Sequence, residues 1–328
     1  MADPQISVIM PVRNGEPYFA AALASVLDQQ RADFELVVVD DGSTDGTAAL
    51  LAACPDPRLR VLQGGGLGVG GALALAQAAA RGEFVARMDA DDIALPGRLA
   101  LQAQLLRDNP AVAMVYCSAR VIDGEGREVG HLPAQPFNQQ QRREVLLEER
   151  QGRPIIHPGV MIRRSMLEAA GGYRPLPASQ DHELWLRLIE QGPFLAMPEE
   201  LLLYRRHGQS VTSSKQLQQL LIHMVSCVAA RYRRQTGIDL YVDAPERYRE
   251  LEQLAAREAG PWLERCIKAW QLRALIAARK PLPIVRELLA LLPDGAILLI
   301  FNRFASAQNR RLQHRLLAHL AARGDLTQ

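Results

Sequence analysis

The sequence predicts an α/β fold: a parallel sheet with helices on both faces, followed by a helical C-terminal region. Three observations predict it. Short, near-continuous apolar runs alternate with stretches of helical period through the first hundred residues, the pattern of a sheet buried on both sides. Each run ends in a polar loop, and open α/β sheets bind ligands beyond the carboxyl ends of their strands. The formal charge then changes sign along the chain. Residues 1–214 carry 20 Lys/Arg against 26 Asp/Glu, net −6, whereas residues 215–328 carry 18 against 10, net +8. A boundary is expected there.

The elements follow in order. Ile6 to Val12, ISVIMPV, is a strand, and Tyr18 to Gln29 is a helix with Phe19, Leu23, Val26 and Leu27 on one face. A second strand, Glu35 to Val39, runs into the loop Asp40 to Thr47, whose Ser, Thr and Asp side chains can cap the next helix. Asp41 and Asp45 are expected to shape this turn or cap that helix. A third strand, Leu59 to Gln63, meets a glycine-rich loop and an alanine-rich helix near Leu73 to Ala80. The fourth, Phe84 to Met88, delivers Asp89, Asp91 and Asp92.

Three carboxylates at one strand end repel one another unless a cation sits among them. Mg²⁺ and Mn²⁺ favour carboxylate and diphosphate oxygen together, so this cluster points to a divalent ion and a nucleotide. Taken alone, a D-x-D is more often a solvated acidic turn. Its context is the set of polar loops Val12 to Glu16, Asp40 to Thr47 and Asp89 to Asp92, which converge at one edge of the predicted sheet.

PVRNGEPYFAAALASVLDQQ, FELVVVDDGSTDGT and GEFVARMDADDIALPGRLALQ, in this order and spacing, resemble the family 2 glycosyltransferases of GT-A fold. The resemblance is strong from Ile6 to Leu101 and weaker to Ser213. It implies a Rossmann-like mixed, mostly parallel sheet with helices on both faces, a nucleotide-diphosphate sugar donor, a divalent metal (Mn²⁺ or Mg²⁺) and inversion at the anomeric carbon. It divides residues 1–214 into a nucleotide-sugar-binding half, 1–101, and an acceptor-side half, 102–214. Carried over residue by residue, it sets Pro11, Val12, Arg13 and Glu16 against the nucleoside, with Asp40 reading the base or ribose. Asp91 is the direct metal ligand it implies, and Asp89 contacts ribose or water on the ion. Arg87, two residues upstream of Asp89 on the same strand, either offsets diphosphate charge or forms an ion pair with one of those aspartates.

HPGVMIRRSMLEAAGGYRP, from His157, reads as a strand, a short helix and a Gly-Gly turn, leading into the helical QDHELWLRLIEQG. The resemblance makes Asp181 the general base there, in a family whose members often carry Glu-Asp where this chain has Gln180-Asp181. A sugar hydroxyl is a poor nucleophile at neutral pH, and a positioned carboxylate can take its proton. Asp181 also reads as the N-cap of a helix beginning near Glu183, and one residue can do both. His207, in YRRHGQSVT, is a candidate third metal ligand or diphosphate contact, with Arg205 or Arg206 beside phosphate. A lone His is more commonly structural. His157 is read as a packing or acceptor-site residue.

A competing signal is Gly66 to Gly71, which matches G-x-G-x-x-G between a strand and a helix, with Asp89 about 20 residues on. That fingerprint belongs on the first strand of a dinucleotide-dependent oxidoreductase, and here it follows the third. A non-catalytic sugar-nucleotide-binding protein of the same fold is the other alternative. The 48% hydrophobic and 23% charged composition is that of a globular protein. Cys54, Cys117, Cys227 and Cys266 are scattered without a C-x-x-C and read as free thiols. The polar Met1 to Gln5 is no signal peptide, so a cytoplasmic protein is expected. In the tail, Leu217, Leu220, Leu221, Met224, Val225 and Val228 fall at helical spacing, with further patterns at Trp262 to Ala278 and Leu312 to Leu320. Ala296 to Phe301 is far too short to span a bilayer. The basic helices either cap the catalytic domain or rest on the inner face of the membrane, where a lipid-linked acceptor would lie. The expected partners are thus a nucleotide-sugar donor and a glycan or lipid-linked acceptor. Few aromatics and no RNA or DNA motif argue against nucleic acid.

Overall fold

The computed structural model describes residues 3–136, 155–207, 216–258, 311 and 313–321. The patterns at Trp262 to Ala278 and Ala296 to Phe301, residue 312, Cys266 and the charge boundary at 214/215 lie outside the described residues. The chain divides into two compact units, Met1–Glu144 with Gln151–Ser210, and Val145–Arg150 with Val211–Gln328.

The first unit opens with β1 (Ile6–Val12), α1 (Phe19–Leu27), β2 (Phe34–Asp40), α2 (Thr47–Ala53), β3 (Leu59–Gln63), α3 (Gly68–Ala78) and β4 (Phe84–Arg87). There follow β5 (Ile93–Ala94), α4 (Arg98–Asp108), β6 (Met114–Ile122), β7 (Glu128–Leu132), a 3₁₀ turn (His157–Gly159) and β8 (Val160–Arg163). It closes with α5 (Arg164–Ala169), α6 (Gln180–Leu188) and β9 (Phe194–Arg205). These strands form one sheet in the order β3-β2-β1-β4-β8-β6-β9-β5, with β7 also paired to β6. The N-terminal four are parallel throughout. Antiparallel pairs begin where β8 joins β4 and β6, and β9 returns parallel to β6.

Both sides of the parallel part are covered, as its apolar runs require. Ile6, Val8, Met10 and Val12 pack in one cluster with Phe19, Leu23 and Val26 of α1. Ser7 and Ile9, on the opposite parity, are fully buried as well. Every residue of β2 is buried. The register Val12↔Asp40 brings the ends of β1 and β2 level, and Ile9↔Arg87 sets β4 one strand over.

Two local expectations change. The loop Asp40 to Thr47 does not cap α2 through an N-cap side chain: Gly46 holds that position. Asp45 instead accepts from the Glu16 and Thr47 amides, at 3.0 and 3.1 Å, and shapes the turn. Helix α3 begins at Gly68, five residues before the periodic apolar pattern. The Asp41 carboxylate accepts from the Gly66, Leu67 and Gly68 amides at 2.9, 2.6 and 2.8 Å, satisfying donors that a helix start leaves orphaned.

At the opposite end of the sheet, the buried Glu35 accepts from Ser7 Oγ, Arg60 Nη1 and the Arg81 guanidinium. Burial alone would raise its pKa, but the bonds from Arg81, Ser7 and Arg60 outweigh it and lower the value from 4.5 to about 2. A lowered acid pKa gives stability that is complete above about pH 4.5 and is lost as the pH falls through about 2. The shift corresponds to at most about 3 kcal/mol, less what solvent screens at the half-exposed Arg81. Glu35→Gln should therefore lower the urea midpoint at pH 7, and the gap from wild type should narrow steadily between pH 4.5 and 2. A gap that stays constant over that range would refute the linkage.

The second unit is helical among its described residues. Helix α7 (Gln216–Thr236) and the short α8 (Leu240–Asp243) are followed by helical residues 245–258 and 313–320. Met224, Val225, Val228 and Tyr232 of α7 form a core with Leu240, Tyr248, Leu251, Leu316 and Leu320. The helical spacing read over Leu217 to Val228 is thus a packed face. No helix among the described residues is long and apolar enough to cross a membrane. Cys54, Cys117 and Cys227 are free thiols.

Candidate active site

The loops after β1 and β2 are joined into one rim. The Asn14 amide donates to Ser43 Oγ at 2.9 Å, Gly15 to Thr47 Oγ1 at 2.9 Å, and the Thr44 amide returns a bond to Asn14 Oδ1 at 2.7 Å. Arg13 and Glu16 are exposed on this rim, Pro11 is half-buried, and Val12 is buried with its carbonyl accepting from the Asp41 amide. Asp40 is buried, and its Oδ1 accepts from the Ser43 amide at 2.9 Å. Beside the rim, the Gly66, Leu67 and Gly68 amides are held by the Asp41 carboxylate, and the Gly64 amide donates to the Asp40 carbonyl. Within the G-x-G-x-x-G run, the Gly66 and Gly68 amides are thus occupied by a carboxylate of the chain itself.

The acidic cluster lies past β4, the next strand of the sheet. Asp89, Asp91 and Asp92 each offer a carboxylate oxygen, all within 4.8 Å of one another. Arg87 is buried beneath them, its Nη2 paired with Asp89 Oδ1. The ion pair expected as one of its two readings is therefore present. Its Nε and Nη1 are buried and have no hydrogen-bond partner among the described residues. Asp91 Oδ2 meets His207 Nε2 at 2.9 Å. Asp92 is almost fully buried; Oδ1 accepts from the Arg205 amide at 2.7 Å, and Oδ2 has no partner among the described residues. Burial, then the charge of Asp89, raises the Asp91 pKa against the pull of His207. Burial, then Asp89 and Asp91, raises that of Asp92 well above the usual carboxylate range. Crowded oxygens, elevated pKa values and an unpaired buried carboxylate oxygen fit a hard divalent cation such as Mn²⁺ or Mg²⁺.

Two residues read as candidate phosphate contacts separate here. Arg206 is exposed, whereas Arg205 is buried and turned into the protein, its Nε donating to the Asp91 carbonyl at 2.8 Å. Sequence reasoning missed the structural use of Arg205 and also Tyr18, whose ring lies 4.5 Å from the Arg205 guanidinium.

Asp181 comes from far along the chain, on helix α6. Helix α6 starts one residue before it, with Ser179 at the N-cap in a left-handed conformation, φ 49°. Asp181 therefore stands in the first turn and is not the cap. The helix is pinned by a buried network: Arg174 Nη1 and Arg187 Nε donate to Glu183 Oε1 at 2.7 and 2.8 Å, and Arg187 Nη2 to Gly172 O at 2.8 Å. Helix α3 braces the same turn. A Cβ on Gly70 would meet Leu176 O at 2.4 Å, and Gln77 Oε1 accepts from the Tyr173 amide at 2.9 Å.

Burial raises the Asp181 pKa. The His182 amide and the Arg87 charge oppose that rise, and Asp89 adds to it. Base candidate and acidic cluster thus feel one another's charge. His157, expected as a packing or acceptor-site residue, is buried with Nε2 2.8 Å from Tyr173 Oη and the Trp185 ring edge-on. Burial and Arg87 hold it neutral, well below its ordinary pKa.

Residues 7–171 match the family described as Glycosyl transferase family 2. The chain belongs to that family. It is 32% identical over 197 residues to the putative glycosyltransferase EpsE of Bacillus subtilis (strain 168), covering 58% of this chain and 68% of that one. It is 31% identical over 218 residues to the O-antigen biosynthesis protein RfbC of Myxococcus xanthus, covering 65% of this chain and only 16% of RfbC. Among solved structures, residues 1–349 of S. aureus TarS in complex with UDP-GlcNAc superpose with a TM-score of 0.58 at 19% identity, covering 77% of this chain and 79% of that one. The mannosyltransferase PcManGT of Pyrobaculum calidifontis, in complex with GDP-Man and Mn²⁺, gives 0.53 at 23% identity over 98% and 87%. The architecture is the GT-A type with C-terminal helices, and the chain is a nucleotide-sugar glycosyltransferase of family 2.

Proposed function

We propose that this glycosyltransferase moves a sugar, with inversion, from a UDP-sugar to a hydroxyl of a glycan or lipid-linked acceptor in cell-surface polysaccharide synthesis. The observation that carries the reading is electrostatic. Asp181, distant in sequence, shares one charged neighbourhood with Arg87 and Asp89 at the end of β4. A donor held by the acidic cluster would then present its anomeric carbon near the base.

On the donor side, Pro11, Val12, Arg13 and Glu16 flank the nucleoside, Asp40 reads its base or ribose, and Arg87 with Asp89 meets the diphosphate and ribose. Asp91, with Asp89 and His207, would hold Mn²⁺ or Mg²⁺, which stabilises negative charge on the departing diphosphate. Asp181 removes the proton from the acceptor hydroxyl as that oxygen bonds to C1 and the C1–O bond to phosphate breaks. Its raised pKa suits the task, because a stronger base is a better proton acceptor so long as it remains ionised. Attack from the face opposite the leaving diphosphate inverts the centre. UDP as the carrier is supported by TarS and an assembly role by RfbC, each for the relative concerned. The catalytic domain spans 1–214 and is followed by the basic helical region 215–328.

The test is a thermal-shift series with UDP-, dTDP- and GDP-sugars, each with and without Mn²⁺, since a ligand of the folded state raises its apparent stability. A Mn²⁺-dependent rise confined to UDP-sugars is the expected result. A rise confined to GDP- or dTDP-sugars would overturn the donor assignment, and equal rises without metal would overturn the metal.

A further inference from the structure

Four contacts converge on Arg205, the last residue of β9. Its amide donates to Asp92 Oδ1 at 2.7 Å, its Nε to the Asp91 carbonyl at 2.8 Å and its Nη1 to the Asp123 carbonyl at 3.1 Å. Its guanidinium also lies on the Tyr18 ring, 4.5 Å from the centroid. Tyr18 comes from the loop after β1, one residue before α1, yet the same ring meets the His207 imidazole, with centroids 5.0 Å apart and planes inclined by 49°. His207 Nε2 in turn meets Asp91 Oδ2 at 2.9 Å. Arg205 and His207 are two residues apart, so an extended chain points both side chains to one side, while Arg206 between them is exposed. The contacts form a closed circuit: Tyr18 to Arg205, Arg205 to the backbone of Asp91, the Asp91 carboxylate to His207, and His207 back to Tyr18.

We propose that Tyr18 and Arg205 are positioning residues that preset Asp91 and His207 for the divalent cation and its diphosphate. The proposal rests on the metal reading of the acidic cluster given above. The physical need is plain. Three crowded carboxylates push their loop apart, and an imidazole on a strand end is free to rotate, so a site without a brace would pay for ordering at each binding event. Arg205 supplies the brace to the loop, because its fork reaches two backbone carbonyls while its amide fixes Asp92. Tyr18 supplies a flat apolar surface that stacks on the cation of Arg205 and limits the tilt of His207. The circuit also ties the loop after β1, expected to meet the nucleoside, to the residues expected to meet the metal.

The experiment titrates the full chain with Mn²⁺, following loss of the free-ion EPR signal, with and without UDP. Tyr18→Leu, which removes the ring, should weaken Mn²⁺ binding about tenfold, whereas Tyr18→Phe, which keeps it, should restore wild-type affinity. Arg205→Lys, which cannot reach both carbonyls, should behave like Tyr18→Leu. At saturating Mn²⁺ the kcat of each should return to within about threefold of wild type, because the reacting atoms are untouched. A folded Tyr18→Leu protein that binds Mn²⁺ within twofold of wild type would overturn the proposal. Should that variant fail to fold, Arg205→Lys decides by the same criterion. Asp91→Ala separates the two levels: if it binds Mn²⁺ like wild type, the metal reading itself fails, and the brace has nothing to position.

Discussion

Asp181→Asn is expected to lower kcat by about 10²- to 10⁴-fold, the range a positioned general base contributes, while the donor and Mn²⁺ bind as in wild type. The substitution keeps the volume and the place in the first turn of α6 but removes the proton acceptor. Because Glu183 with Arg174 and Arg187 holds α6 independently of residue 181, the fold should be unaffected. The pH profile gives a second reading of the same residue. The raised pKa means that Asp181 loses its charge as the pH falls through a value above that of an ordinary aspartate. Activity should therefore be full above that value and decline below it, and the residual activity of Asp181→Asn should lack this acidic limb. Transfer at the wild-type rate would remove Asp181 from the role.

Asp91→Ala should abolish the Mn²⁺-dependent stabilisation by the donor. At a ligand concentration of 100 times Kd that stabilisation is about 2.7 kcal/mol, a readily measured loss in a thermal shift. Without ligand the sign should reverse. Burial, and after it the charge of Asp89, raises the pKa of both Asp91 and Asp92, so deleting one carboxylate relieves repulsion, and the variant should melt no lower than wild type. A lower melting temperature without ligand would mean that the Asp91–His207 contact stabilises the fold more than the crowding costs. An undiminished donor shift would mean that the cation is held elsewhere.

The parallel part of the sheet was readable because its signals are local. β1 and β3 have the bounds their apolar runs predict, β2 is one residue longer at each end, and β4 is one residue shorter at its C-terminal end. A strand buried on both faces announces itself by an unbroken run, and an amphipathic helix by its period. The same holds for α7 and for the short helix and Gly-Gly turn after β8. The family resemblance singled out the acidic cluster, His207 and Asp181; in the structure His207 Nε2 lies 2.9 Å from Asp91 Oδ2, and Asp181 feels the charges of Arg87 and Asp89.

What the sequence by itself determined is the series of elements, the polar loops at their ends and the residue types available for the chemistry. Tertiary structure alone decided which of those residues are committed to holding the site together. Asp41 reads as a turn residue, yet it caps α3 through three amides. Arg205 reads as a phosphate ligand, yet it braces the acidic loop. Asp92 meets Arg205 across 113 residues of chain, and Asp91 meets His207 across 116. No periodicity within a window of ten or fifteen residues carries information about a partner at such separation. Short strands such as β5 and β8 leave their place in the sheet, and so the direction of every side chain on them, to the packing of the whole first unit.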